Sequence, residues 1–119
     1  MFMPCKSYSG AFPEAGPERI ALREALESDV SMLSETIGQR NLFHYDGLEK
    51  SVEFISSSFI ESGYIPEIQE FKAKSSLLGN LRNAPKDDKN IYKNIIAEKR
   101  GVISPEEIIV VGAHYDSVP

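Results

Sequence analysis

At 119 residues the chain has room for one modest domain with a core, and little more. Its composition, 41% hydrophobic and 26% charged, reads as that of an ordinary soluble protein, with no apolar run long enough to span a bilayer. A formal net charge of -5 with no basic block argues against nucleic acid and anionic membrane as partners.

Residues 1–16 read as a flexible leader, because Pro4, Gly10, Pro13 and Gly16 interrupt any periodicity. The leader lacks the continuous apolar stretch of a secretory signal, so with Met1 as the start the expectation is a cytoplasmic protein. Cys5, the one cysteine, has no partner for an internal disulfide and reads as incidental. Pro17 suits a first helical position. Leu22, Leu26, Val30, Leu33 and Ile37 then recur at helical spacing, which predicts an amphipathic helix over 18–37 that stops at Gly38. Ser28 and Asp29 could instead cap a second segment and divide it in two.

Asp46 with Glu49 three residues on forms a capping-box-like start. Leu48, Val52, Ile55 and Phe59 mark the apolar face of a second helix, with Gly63 as its stop. Both apolar stripes read as core. A first strand is expected over 64–71, demoted by Pro66 to an edge or irregular segment. Residues 75–90 are polar, contain Lys86-Asp87-Asp88-Lys89, and read as a connection carrying solvated charges. A second strand follows over 91–99, a turn with Ser104-Pro105 over 101–106, and a third strand over 107–113. The first two strands should pair antiparallel, because their connection holds no crossover helix. The third should be the most buried, since Ile108-Ile109-Val110-Val111 is a run of β-branched residues of the kind covered on both faces in a sheet. Arg40 and His44 are isolated polar residues for which a surface or structural role is the reading.

Gly112 and Ala113 follow that run and leave room for close backbone approach; His114 and Asp116 come next. A position just past the carboxyl end of a strand is where α/β sheets place ligands. A neutral imidazole is a good zinc ligand, and a nearby carboxylate can accept its second N–H and set the tautomer. His114 is therefore a candidate metal ligand and Asp116 a candidate orienter of it. Taken alone, the pair also fits a polar loop after a strand. Tyr115, between them, reads as a packing residue or the edge of a pocket.

The whole string Gly112-Ala113-His114-Tyr115-Asp116-Ser117-Val118 resembles the first metal-ligand motif of the co-catalytic zinc aminopeptidases, the family of aminopeptidase Y and the bacterial leucyl aminopeptidases. The likeness extends more loosely over 18–119, through Asp29-Val30, Ile37-Gly38 with Arg40, Gly63-Tyr64 and Asn94-Ile95-Ile96-Ala97-Glu98. It implies an α/β fold in which two N-terminal helices and the first three strands of a mixed, mostly parallel sheet open a zinc-exopeptidase domain over 17–119. It also implies a metallopeptidase using two zinc ions to release N-terminal residues from peptides with a free N-terminus. His114 would hold one zinc and Asp116 would orient it, with no nucleic acid or membrane partner. Family members place a bridging aspartate, a Glu-Glu pair that supplies the general base and a ligand, and a further aspartate and histidine beyond such a string. The expectation is therefore an incomplete domain, inactive alone and without stably bound zinc. Two alternatives share the α/β class: a single-zinc acyltransferase of the glutaminyl cyclase type, which has a similar His-Tyr-Asp-Ser string, and an interaction domain without metal.

Overall fold

The computed structural model describes residues 10, 11, 14–72 and 90–118. Cys5, most of the expected leader and nearly all of the polar connection lie outside the described residues. Pro17 opens helix α1 (Pro17–Ser31), at a position where its missing N–H would have had no intrahelical acceptor. The helix runs without a break into a π-helical segment, Met32–Ile37, so Ser28 and Asp29 cap nothing. Gly38 ends it with φ of 76°, a backbone region that disfavours a β-carbon, and its N–H reaches back to the Leu33 carbonyl at 3.1 Å.

The α1 part of the expected core stripe is not core, whereas Leu33 and Ile37 of the π-helical segment are half-buried. Leu22, Leu26 and Val30 are 61%, 55% and 63% exposed, and among the described elements α1 touches only its own π-helical continuation. The 3.6-residue period is present, but among the described elements no other helix or strand lies against Leu22, Leu26 and Val30.

Helix α2 (Tyr45–Glu61) follows a tight turn built by Asn41, whose side-chain Oδ1 accepts from Phe43 N–H at 3.0 Å and whose carbonyl accepts from His44 N–H at 2.9 Å. That turn starts the helix two residues earlier than a cap at Asp46 would. The expected capping box is accordingly absent: Asp46 pairs along the helix with Lys50 at 3.3 Å, and Glu49 reaches across to Lys93. Leu48 and Val52 form the buried apolar core among the described residues, with Gly47 and Ser51 beside them on the same face. Gly63 ends the helix as expected.

The sheet has two strands, β1 (Glu67–Phe71) and β2 (Tyr92–Ile96), paired antiparallel from Glu67 opposite Ile96 to Phe71 opposite Tyr92. β1 begins just after Pro66, which has no N–H to give a ladder. Tyr92 meets Tyr45 edge-on at 6.2 Å and Phe71 at 6.0 Å, joining α2 to the sheet.

The three-stranded, mostly parallel sheet is thus corrected to a two-stranded antiparallel one. Residues 107–113 lie outside any strand, and Ile108, Ile109, Val110 and Val111 are 84–92% exposed rather than most buried. A β-branched run records what a segment can bury, not that a neighbouring strand is there to receive it.

Among the described glycines, Gly47 is the one most closely approached, where α2 crosses the chain ahead of it. A β-carbon built on Gly47 would stand 2.1 Å from the Gln39 carbonyl oxygen and 3.5 Å from the Arg40 α-carbon. Gly47→Ala therefore sets two effects in opposition. Helix propensity favours alanine by about 1 kcal/mol, while overpacking a fixed backbone costs about 1–3 kcal/mol or more. Because backbone, not a flexible side chain, occupies the space, overpacking wins. Chemical denaturation should show Gly47→Ala less stable than the parent, and a more stable variant would contradict this packing.

Candidate metal centre

Over residues 114–118 burial alternates from one residue to the next. Tyr115 and Ser117 turn toward the protein and are half-buried; His114 and Asp116 turn away and are exposed. The inward residues anchor the loop. Tyr115 Oη donates to the Lys93 carbonyl at 2.8 Å, tying the loop to β2. Burial pushes the Tyr115 phenol above its ordinary range, which keeps the donated proton in place. Ser117 meets Arg40 twice: its N–H donates to the Arg40 carbonyl at 2.7 Å, and its Oγ accepts from the Arg40 N–H at 3.0 Å. Arg40 Nε donates to the Tyr115 carbonyl at 2.7 Å.

The outward residues form the pair of interest. His114 Nδ1 lies 3.0 Å from Asp116 Oδ1, a distance at which an Nδ1–H donates to the carboxylate. In that tautomer Nε2 carries the lone pair, and the ring is 94% exposed, so Nε2 is open to a ligand-seeking cation. The pair lies on the wall of a cleft of about 720 Å³ whose other sides include Asn41, Leu42, Leu48, Phe71, Tyr92 and Asn94. His44, before α2, has no part in this cleft. Among the described residues no group of three or more His, Cys, Asp or Glu side chains comes together around a possible metal. The site therefore holds one exposed imidazole with a carboxylate beside it.

Three contributors went unassigned on sequence: Gly47, Lys93 and Ser117. A glycine inside an otherwise helical pattern signals close packing, and Gly47 carried that signal. Lys93 and Ser117 carried none, because their roles depend on neighbours distant in the chain. Lys93 Nζ pairs with Glu49 Oε2 at 2.5 Å, which holds α2 against the strand whose carbonyl anchors Tyr115. The hydrogen bond from Lys93 holds the Glu49 carboxyl below the usual glutamate range, against the opposing effect of burial. The same bond holds the Lys93 ammonium above its usual range.

Comparison with known proteins adds one relative. The uncharacterized protein YfbL of Escherichia coli (strain K12) is 32% identical over 99 residues, which cover 83% of this chain and 26% of that protein. The chain thus spans about a quarter of the length of the curated relative it matches. No family model and no solved structure matches the chain. No helix among the described residues is long and apolar enough to cross a membrane.

The Glu49–Lys93 pair makes stability depend on pH in a defined direction. Glu49 titrates lower folded than unfolded, so its contribution is fully present above its unfolded value of about 4.3 and is lost as pH falls through the lower folded value. Lys93 titrates higher folded than unfolded, so its contribution is present below about 10.4 and is lost as pH rises through the folded value. Urea midpoints measured against pH should show Glu49→Gln less stable at neutral pH, with a flatter decline below about pH 4.3. An acid limb as steep as the parent's would show that Glu49 is not its source.

Proposed function

We propose that this chain supplies part of the catalytic domain of a zinc-dependent metallo-aminopeptidase, which hydrolyses the first peptide bond of substrates with a free N-terminus. The observation that carries this reading is the His114–Asp116 pair at 3.0 Å, with the opposite ring nitrogen facing open solvent. A histidine that ligates zinc characteristically donates its other N–H to a carboxylate, and that partner sets ring orientation and ligand basicity. The residues present fit one ligand position of such a centre. His114 would hold the metal through Nε2, and Asp116 would keep the proton on Nδ1.

Bound zinc supplies Lewis acidity toward the scissile carbonyl and lowers the pKa of a coordinated water. This chain's own contribution is to hold His114 in the right tautomer at the mouth of the cleft. A catalytic zinc takes about three protein ligands and an open position, more than the described residues bring together. The remaining ligands and a general base would come from elsewhere in a protein as long as its relative, of which this chain matches 26%.

The test uses the full-length gene product. His114→Ala should abolish zinc-dependent cleavage of aminoacyl-nitroanilides and weaken zinc binding measured by calorimetry. Asp116→Asn should cost less, about 10–100-fold in affinity or activity. A protein that cleaves no aminoacyl substrate with zinc present, or one indifferent to His114→Ala, would refute the reading.

A further inference from the structure

We propose that Arg40 is the positioning residue of the metal-binding loop, holding the backbone of Tyr115 and Ser117 so that His114 and Asp116 project together toward the metal; the proposal rests on the zinc reading above.

Residues 107–113 join no strand, so no sheet register sets where the following loop lies. Among the hydrogen bonds of the described residues, those that hold 114–118 to the rest of the protein run to Arg40, apart from the Tyr115 hydroxyl on Lys93. Arg40 meets two successive inward positions of the loop: its guanidinium Nε takes the Tyr115 carbonyl, and its main-chain carbonyl and N–H take the Ser117 N–H and hydroxyl. These flank Asp116 on both sides and follow His114 directly. With period-two alternation, fixing the inward positions fixes the direction of the outward ones.

Arg40 is itself held. Its Nη1 donates to the Leu33 carbonyl and to the Gly38 carbonyl, at the widened end of the π-helical segment. Its backbone lies under Gly47 of α2, where no side chain intervenes. One planar guanidinium thus gathers carbonyls from the helix end and from the loop, using Nη1 for one side and Nε for the other. Lysine carries a single ammonium on a flexible stem and cannot reproduce that fork. π-helical turns are found disproportionately at functional sites; here the turn presents the carbonyls that aim Arg40.

The test compares Arg40→Ala, Arg40→Lys and Ser117→Ala with His114→Ala in the full-length protein. Zinc affinity is read by chelator competition, the visible spectrum of the cobalt-substituted protein is recorded, and kcat and KM are measured separately. Arg40→Ala should lower zinc affinity about 10–100-fold, the size typical of losing a group that supports a ligand, alter the cobalt spectrum and reduce kcat more than KM. Arg40→Lys should recover only part of this. Ser117→Ala removes one loop contact while leaving the Arg40 helix contacts intact, so it remains informative if Arg40→Ala fails to fold; it should lower zinc affinity several-fold. Parental zinc affinity and cobalt spectrum in folded Arg40→Ala, or in Ser117→Ala if Arg40→Ala is unfolded, would overturn the proposal while His114→Ala still abolishes binding. If His114→Ala also leaves zinc binding unchanged, the zinc reading fails instead.

Discussion

Backbone contact between α2 and residues 39 and 40 is the constraint on which the rest of this structure depends. A glycine at position 47 lets the first turn of α2 approach the Gln39 carbonyl more closely than any β-carbon could. Ser51, one turn further on, is fully buried and returns its hydroxyl to the Gly47 carbonyl at 2.9 Å, so the same face stays narrow. Leu48 and Val52 seal the contact. Arg40 is thereby held by its main chain from one side and by the carbonyls at the helix end from another. From that fixed point it holds the loop that carries His114.

The second organising feature is the belt of polar and aromatic contacts along α2 and β2. Glu49 reaches Lys93, the Tyr45 hydroxyl donates to the Ile91 carbonyl at 2.6 Å, and the Tyr115 hydroxyl donates to the Lys93 carbonyl. Each joins segments far apart in sequence, and together they bring the hairpin, the helix and the terminal loop to one cleft. Against this, much apolar surface stays open. Burying an isoleucine, leucine or valine contributes about 1.5–3 kcal/mol, so the exposed stripes on α1 and at 108–111 forgo several such contributions.

The site follows from alternation. A segment that lies beside the protein, not within a sheet, and alternates in burial has one face to attach and one to display. Tyr115 and Ser117 use polar atoms for attachment, which leaves His114 and Asp116 adjacent on the displayed face at 3.0 Å. Two residues of spacing matches the alternation of burial over 114–118, so His114 and Asp116 share its exposed side, where their hydrogen bond forms.

Much was legible in the sequence because it depends on near neighbours. The helical stretch over 18–37 and its stop at Gly38, the second helix ending at Gly63 and the closeness of His114 to Asp116 arise within short windows, from periodicity, glycine conformation and alternation, and the antiparallel pairing of the first two strands follows from a connection that reads as holding no crossover helix. What the tertiary structure decided involves partners that no local pattern names. Leu22, Leu26 and Val30 carry a core pattern yet lie open, and Ile108 to Val111 read as an inner strand yet pair with nothing, because burial needs a second surface. Asp46 lost its capping role because the Asn41 turn started the helix earlier. Arg40 read as one isolated polar residue. Only folding brings it beside residues 115 and 117, since a hydrogen bond across 75 or 77 positions is set by the path of the whole chain, not by the residues on either side of it.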